Sequence, residues 1–511
     1  MEELIVRGRA VVIGVAADSS AEIVEGGAVL VRNSRVAEVG TFESLRAAHP
    51  DCLVVGSERN VVTPGFVNGH HHVGLTPFQL GAPDLPLELW LAAKIGLRDV
   101  DPYLDTLYSA FEMIASGVTT VQHLHVSRSS ARAVEAQAEA ILRAYCDIGM
   151  RVSYSYGYRD QNRLVYESDE TFLSRLPSDL AEELRPWFDN QRIPIADHIA
   201  LFEDLLSRHA GTAGGRVVVQ LAPSNMHWCS DQALGAIGEI ARKHGLPMHL
   251  HLLETAYQKV YAHGRAGKTA VAHLDDLGLL GPDMTLGHAV WVDSEDIERI
   301  GASGTCICHI ASSNLRLRSG IAPCNQFLRR GIPIAIGIDE AGINDDRDML
   351  QEMRLVLRLH RRPGMNPADV PSALEVFRMA TEYGARTTPY RGTIGRLAPG
   401  MAADIVLFDW ETIAGPYLDA DVPPIDAIIY RAKQNAVRLV MVGGRTIYED
   451  GRFVCVDRDA VSAEIRHALA RPLSEQESRR RSMARALSPY VQGVYDGWNG
   501  AGSCHLIDGY P

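Results

Sequence analysis

Three consecutive histidines at the end of a short apolar segment are the residues of this chain best suited to chemistry. The segment reads TPGFVNGHHH and spans residues 63–72. Residues two apart along a strand point to the same side, so His70 and His72 are able to bind one metal ion while His71 faces away. A fortuitous surface cluster is the alternative that a short motif leaves open.

Four later apolar runs also end in side chains that bind metals or transfer protons. They are residues 247–254 (PMHLHLLE, with His251 and Glu254), 284–291 (MTLGHAVW, with His288), 306–315 (CICHIASSNL, with His309 and Asn314) and 332–340 (IPIAIGIDE, with Asp339 and Glu340). Helical patterns fill the gaps between them, which is the rhythm of repeated strand–helix units. In a (β/α)8 barrel the C-terminal strand ends meet on one face, so we expect these side chains to converge there.

Taken together, these segments resemble the amidohydrolase superfamily, in its branch of aminohydrolases and chlorohydrolases. The matching motifs are PGFVNGHHH, HLLE at 251–254, GHAVW at 287–291, ASSNLRLRSGIAP at 311–323, GID followed by NDDRDML, and TIGRLAPGMAAD at 393–404. The resemblance extends from about the first strand to about Phe453. It implies a metal-dependent hydrolase of the kind that acts on triazines, adenosine derivatives or guanine. The implied fold class is α/β, a TIM-like (β/α)8 barrel with a small β-sandwich domain built from both chain termini.

Strand patterns at both ends of the chain predict the domain organisation. Residues 1–61 and 396–456 contain short strands that cannot bury a core alone, so one composite β-sandwich is expected beside a barrel over residues 62–395. An insertion at about residues 157–205 follows the third barrel strand on the active-site side, where it forms either a substrate wall or a decorated surface. Residues 457–511 are expected to form a helical and Gly-rich extension whose basic stretch is either solvated or in contact with another subunit.

A metal site explains the histidines and the strand-end aspartate. Hydrolysis at a ring carbon needs hydroxide at neutral pH, which a divalent metal supplies by lowering the pKa of bound water to about 7. The predicted ligands of one metal ion per chain are His70, His72, His251 and Asp339, with His288 as a further ligand or a hydrogen-bonding group. Zinc is expected, and iron, cobalt or manganese are compatible with the same donors. No lysine ends a predicted barrel strand and the fourth strand exit lacks an acid, which favours a mononuclear site.

Glu254, His288 and Asp339 are the predicted catalytic residues. The resemblance implies that Asp339 also accepts the proton of the attacking water and that His288 hydrogen-bonds hydroxide or substrate. A carboxyl beside a metal and a ring nitrogen can shuttle a proton, so Glu254 would protonate the ring and then help the amine to leave. A helix-start carboxylate that favours the helix dipole is the alternative for Glu254.

Eight further side chains are predicted to contact the substrate. They are Gln79, Trp90, His123, His125, His227, His309, Asn314 and Glu340. Trp90 is a candidate for ring stacking and Gln79 for hydrogen bonding. His123 and His125 share one face of the second strand, where either is equally a candidate core histidine. Glu340 stands where the family commonly has glycine, and it either binds an amino-rich substrate or points into the helix–sheet interface.

The composition of the chain narrows the classes of partner that the protein is expected to bind. A formal net charge of −13 argues against nucleic acid and anionic membranes. No run is apolar enough to cross a bilayer, the N-terminus lacks a signal-peptide pattern, and eight scattered cysteines fit a cytoplasmic protein. A small-molecule substrate and a homo-oligomer, dimer or larger, are expected.

Four functions remain open at this point. Deamination of a nitrogen heterocycle leads, followed by hydrolysis of an amide, urea or carbamate C–N bond and by dechlorination. Chloride leaves without a proton donor, so the presence of Glu254 argues against dechlorination. A non-catalytic scaffold is disfavoured because the predicted ligand set is complete.

Overall fold

The computed structural model describes residues 3–72, 74–126, 131–366 and 370–498. Its strands are β1 (Leu4–Arg7), β2 (Ala10–Val15), β3 (Ala21–Glu25), β4 (Gly27–Arg32), β5 (Arg35–Thr41), β6 (Leu53–Gly56), β7 (Asn60–Pro64), β8 (Phe66–His71), β9 (Val118–His125), β10 (Arg151–Tyr158), β11 (Val217–Pro223), β12 (Met248–Leu252), β13 (Met284–His288), β14 (Cys306–His309), β15 (Ile334–Ile336), β16 (Ile405–Asp409), β17 (Val437–Val442), β18 (Arg445–Glu449) and β19 (Arg452–Phe453).

The helices occupy most of the connections. They are α1 (Phe42–Ala48), α2 (Leu87–Ala93), α3 (Pro102–Ala115), α4 (Ala131–Ile148), α5 (Asp169–Ser174), α6 (Ser178–Asp189), α7 (Ile195–Arg208), α8 (Thr212–Gly215), α9 (Asp231–His244), α10 (Ala256–Ala266), α11 (Ala270–Asp276), α12 (Ser294–Ser303), α13 (Ala311–Arg316), α14 (Cys324–Arg329), α15 (Met349–Leu359), α16 (Ala373–Ala380), α17 (Glu382–Ala385), α18 (Trp410–Ala414), α19 (Pro424–Arg431), α20 (Arg458–Ala470) and α21 (Glu475–Tyr495). Within the described ranges, none combines the length and apolar character that a bilayer crossing requires.

Strands β8 to β15 form one eight-stranded parallel sheet whose spatial order is its chain order. The first and last strands meet through a bridge between His71 and Asp339, where the Asp339 amide donates to the His70 carbonyl at 2.8 Å. These strands are almost uniformly buried because side chains fill the interior and helices cover the outside. The predicted TIM-like barrel is confirmed.

Two more sheets lie beside the barrel. One has the order β5-β4-β1-β6, and the other has the order β19-β18-β17-β16-β7-β2-β3, which combines strands from both ends of the chain. Val31 from the first sheet and Val11 and Leu407 from the second belong to one buried apolar cluster. The two chain ends therefore share a core, while the domain limits drawn from the sequence stay a prediction.

A buried ion pair joins the barrel to the core that these two sheets share. Arg151 begins β10, and its guanidinium makes two bonds of 2.8 and 2.9 Å to the carboxylate of Asp404. The same carboxylate accepts the Gly443 amide proton at 2.8 Å. Such a two-pronged pair adds geometric specificity to its energy, so it sets how β10 and β16 lie against each other.

The insertion packs against helix α21 of the C-terminal extension, whose end at 499–511, predicted to be Gly-rich, lies outside the described residues. Phe172 and Leu184 of α5 and α6 share an apolar cluster with Leu487 and Val491 of α21. The extension is thus docked within its own chain through its apolar face. Its basic stretch is also partly engaged, because Arg480 donates to the Leu97 carbonyl at 3.1 Å.

Candidate active site

The C-terminal ends of β8, β12 and β15 bring the predicted ligands to one point. The Nε2 atoms of His70 and His72 are 3.0 Å apart, and those of His72 and His251 are 3.1 Å apart. Asp339 Oδ1 lies 3.2 Å from His72 Nε2 and 3.7 Å from His70 Nε2. His71 turns the other way and contacts the Ser109 hydroxyl at 3.2 Å, as strand alternation predicts.

The outer nitrogens of these rings show where their protons lie. His72 Nδ1 is 2.5 Å from the Leu124 carbonyl, and His251 Nδ1 is 2.7 Å from the Ser224 carbonyl. A carbonyl only accepts, so each Nδ1 carries the proton and each Nε2 presents a lone pair. Burial lowers the pKa of His251, which keeps the ring neutral. Neutral rings anchored through the outer N–H are the usual form of metal-binding histidine, so the donor set fits a metal ion.

His249 contacts the His70 ring at Nδ1, although it was not predicted from the sequence as a site residue. Its Nε2 lies 2.9 Å from His70 Nδ1, and the ring is fully buried. It precedes His251 by two residues on β12, so the same alternation rule could have identified it.

Several strand ends hold left-handed backbone at residues other than glycine. The φ angles are +67° at His288, +65° at Asp339 and +49° at Leu253. Such a conformation costs roughly 1–2 kcal/mol per residue and persists where the surrounding structure imposes it. Its concentration at the barrel mouth marks this face as the functional one.

Two polar residues of α13 orient the side chains of His288 and Asp339. His288 Nδ1 donates to Asn314 Oδ1 at 2.8 Å, which leaves the Nε2 lone pair facing Glu254 Oε2 at 3.7 Å. The Ser313 hydroxyl donates to Asp339 Oδ2 at 2.6 Å. Asn314, predicted to contact substrate, therefore acts on His288.

Glu254 is buried, and its carboxyl faces other acids. Burial, followed by the negative charges of Asp339, Glu88 and Glu340, raises the pKa of Glu254 well above its ordinary value. The raised pKa favours the protonated form of the carboxyl, which is able to donate a proton.

A cavity of about 700 Å³, counted out to its open mouth, lies over these groups. Its lining includes His72, His251, Glu254, His288, Asp339, Leu87, Trp90, Lys94, Arg159, Trp187, Trp228, Leu317 and Glu340. Aromatic walls with a few polar groups are typical of small-molecule sites. Trp187 belongs to the insertion, which therefore forms a wall of the cavity.

Residues 61–447 match the model of the amidohydrolase family. The chain belongs to the amidohydrolase family. A shorter match, over residues 27–51, is to an imidazolonepropionase-like composite domain of bacteria. Its family and the deaminases that it resembles in sequence hydrolyse C–N bonds. This amidohydrolase is therefore a hydrolytic enzyme that acts on C–N bonds.

Two sequence relatives of this amidohydrolase are deaminases. It is 31% identical over 446 residues to 5-methylthioadenosine/S-adenosylhomocysteine deaminase of Syntrophobacter fumaroxidans, covering 86% of this chain and 92% of the relative. It is 31% identical over 461 residues to 5'-deoxyadenosine deaminase of Methanosarcina mazei, covering 88% and 94%.

Solved structures share the fold of this amidohydrolase. An adenosine deaminase from Xanthomonas campestris with bound zinc superposes with a TM-score of 0.75 at 22% identity, over 94% of this chain and 99% of that one. The atrazine chlorohydrolase of Arthrobacter aurescens, complexed with zinc, superposes with a TM-score of 0.78 at 21% identity, over 91% and 99%.

Two of the predicted substrate contacts of the amidohydrolase line the cavity. Trp90 presents its ring to Lys94, whose Nζ is 4.2 Å from the ring centroid. Lys94 also forms an ion pair with Glu340. The carboxylate of Glu340 therefore reaches the cavity already paired with a cation.

Three predicted substrate contacts face away from the cavity. His123 Nδ1 is 2.9 Å from the Tyr145 hydroxyl and His125 Nε2 is 3.0 Å from Gln137 Oε1, so both rings point to α4. His309 Nε2 is 2.8 Å from His360 Nε2, on the outer side of β14. All three occupy outward positions of their strands, so the expectation that they bind substrate is corrected by their placement.

Two more predicted contacts serve the loops around the cavity. His227 is buried against Tyr166, with ring centroids 4.1 Å apart, and its neighbour Trp228 reaches the cavity in its place. The exposed Gln79 accepts the Thr76 amide proton at 2.8 Å and donates to the Tyr108 hydroxyl at 3.0 Å. Both side chains organise their loops.

Several residues of the cavity were not predicted from the sequence, among them Lys94, Arg159, Trp187 and Trp228. Arg159 follows β10 directly, at the barrel edge where functional side chains concentrate, and this position was an available signal. Its guanidinium carbon lies 4.4 Å from the Trp228 ring centroid. The walls are therefore cationic as well as aromatic.

Proposed function

We propose that this amidohydrolase binds one divalent metal ion, with zinc expected first, and hydrolytically deaminates an amino-substituted nitrogen heterocycle. The observation that carries the proposal is the pair of Nε2 lone pairs on His72 and His251, 3.1 Å apart, with the buried carboxyl of Glu254 lining the same cavity. The deaminases among its sequence relatives support the choice of reaction.

His70, His72, His251 and Asp339 would hold the metal, with His288 beside it. A bound divalent metal supplies hydroxide at neutral pH. Asp339 is placed to accept a proton from the attacking water, because one carboxylate oxygen faces the histidines and the other is held by Ser313. His288 offers its Nε2 lone pair to the same water, because its Nδ1–H is donated to Asn314.

Glu254 transfers protons in two directions. Its carboxyl proton goes to a ring nitrogen, which makes the neighbouring ring carbon more electrophilic. The resulting carboxylate takes a proton from the oxygen that has added and passes it to the amine, which leaves as ammonia. The proton held by Asp339 then restores the Glu254 carboxyl. Water is consumed, and the C–N bond is replaced by a C–O bond.

The cavity walls suit a flat aromatic substrate. Trp90, Trp187 and Trp228 offer ring faces, and the Lys94–Glu340 pair offers both a donor and an acceptor. The homo-oligomer and the cytoplasmic location stay predictions.

Metal analysis paired with ammonia release tests the proposal. Purified protein is assayed with 5'-deoxyadenosine, 5'-methylthioadenosine, S-adenosylhomocysteine, guanine, aminotriazines, chlorotriazines, arylureas and simple amides. One metal per chain with ammonia released from a heterocycle is the expected result. Arylamine released from ureas, or chloride released from chlorotriazines, would replace deamination by amide-type hydrolysis or dechlorination. Absence of metal after incubation with zinc, iron or cobalt would overturn the metal site.

A further inference from the structure

We propose that Tyr166 and Glu88 are positioning residues for Glu254, and that the C-terminal helix α21 holds them in place. The inference rests on the proton-transfer role proposed above for Glu254. It assigns a task to the insertion and to the C-terminal extension, which supply Tyr166 and its contacts.

A continuous hydrogen-bonded path leads from Glu254 to Glu88. The Glu254 amide donates to Gln258 Oε1 at 2.9 Å, and Gln258 Nε2 donates to the Tyr166 hydroxyl at 3.3 Å. The Tyr166 hydroxyl in turn donates to Glu88 Oε1 at 3.0 Å. The path joins the loop after β12 to the insertion and to α2.

Side branches fix the same loop at two more points. The Thr255 hydroxyl donates to Glu88 Oε1 at 2.6 Å, and Asn225 Nδ2 donates to Gln258 Oε1 at 3.3 Å. Glu88 is 3% exposed and Gln258 is 4% exposed. Buried polar groups are costly unless they are hydrogen-bonded, so a network satisfied in this way holds one loop geometry.

Helix α21 closes the network from the outside. The Tyr166 amide donates to the Tyr495 hydroxyl at 3.2 Å, and the two rings are 5.3 Å apart, edge to face. Tyr257, on α10 next to the Glu254 loop, also packs on Tyr495 at 5.0 Å. The last turn of α21 therefore contacts Tyr166, in the middle of the path, and Tyr257, on the helix that follows the Glu254 loop.

The same helix also anchors the segment that follows α2. Arg480 donates to Asp99 at 2.7 Å, and the Asp99 amide donates to Glu477 at 3.1 Å. Because α2 carries Glu88, this contact fixes the far end of the path. Helix α21 thus positions a catalytic loop without reaching the cavity itself.

Hydrogen exchange tests the positioning role without any substrate. Tyr166→Phe removes the hydroxyl that joins Gln258 to Glu88 and keeps the ring. We expect backbone exchange over residues 252–258 to become about 5- to 10-fold faster. Tyr261→Phe is the matched control, since the Tyr261 hydroxyl binds Asn162 at 2.9 Å in the same aromatic cluster but lies outside the path.

Turnover with 5'-deoxyadenosine as probe separates positioning from folding. In Tyr166→Phe, kcat should fall by about 10-fold or more, while KM, metal content and melting temperature stay near wild type. Glu88→Gln keeps an oxygen that accepts both hydrogen bonds and should retain most of kcat, whereas Glu88→Ala should behave like Tyr166→Phe. Tyr495→Phe should speed exchange over residues 252–258 if α21 holds the network.

Unchanged exchange in Tyr166→Phe, or a loss of kcat no larger than in Tyr261→Phe, would overturn the inference. Failure of the proposed function is separate, because it would show as Glu254→Gln with wild-type kcat. If the protein does not turn over the probe, the exchange measurement decides the inference alone.

Discussion

The Nε2 atoms of His72 and His251 lie 3.1 Å apart, and each ring donates its other N–H to a backbone carbonyl at the C-terminal end of a neighbouring barrel strand. Two lone pairs at this distance repel each other unless a cation lies between them. Main-chain carbonyls also cannot be replaced by mutation of a side chain, so the orientation of both rings belongs to the barrel itself.

Removal of one of these rings should release the metal. His251→Ala deletes one of the three converging imidazoles, and we expect metal affinity to fall by more than about 100-fold, with loss of turnover. Metal content after dialysis measures this. His263→Ala, at an exposed position on α10, is the histidine control and should keep its metal. Full metal content in His251→Ala would remove this residue from the ligand set.

Loss of the proton shuttle should separate metal binding from catalysis. Glu254→Gln keeps the shape but cannot transfer a proton, so kcat should fall by about 10²- to 10⁴-fold with metal content unchanged. Steady-state ammonia release measures kcat and KM. Glu340→Gln alters a further carboxylate of the cavity, paired with Lys94, and should change KM more than kcat.

The tautomer of His288 should depend on Asn314. Asn314→Ala removes the acceptor of the His288 Nδ1–H, and we expect about a 10- to 100-fold loss of kcat because the ring is free to turn or to exchange its proton. Asn314→Asp keeps an acceptor at the same place and should retain more activity. Equal losses in the two variants would contradict this role.

The ion pair between Arg151 and Asp404 should contribute to stability. Arg151→Met leaves Asp404 buried without its charge partner, which we expect to cost about 3–5 kcal/mol of unfolding free energy. Arg7→Met breaks an exposed pair with Glu58 and should cost less than about 1 kcal/mol. Urea unfolding of both variants gives the comparison, and similar costs would refute the structural role.

Docking of α21 should weaken in acid through Glu477. Its hydrogen bond to Arg471, together with the Ser474 and Asp99 amides, holds the pKa of Glu477 well below the ordinary value. A carboxyl whose folded pKa is depressed stabilises the fold above its unfolded pKa, about 4.3, and this contribution is lost as pH falls toward the folded pKa.

The melting temperature as a function of pH measures this effect. Glu477→Gln should melt below wild type at pH 6, and the gap should narrow as the pH falls below about 4. A gap that stays constant as the pH falls from 6 to about 3 would show that the charge of Glu477 is irrelevant to docking.

The sequence by itself determined the barrel and the candidate ligands. Alternation along a strand places His70 and His72 on one side, and apolar runs that end in His251, His288 and Asp339 must meet at the C-terminal edge of a parallel barrel. These inferences succeed because they depend on local periodicity and on one rule of topology.

Only the tertiary structure decided which side chains face the cavity and what holds them. His123 and His125 turn toward α4 because the placement of β9 in the barrel, which no local pattern encodes, selects the face. Similarly, the path from Glu254 through Tyr166 to Tyr495 joins residues more than 200 positions apart. Such contacts arise from packing between distant elements, so they cannot be predicted from hydrophobic periodicity.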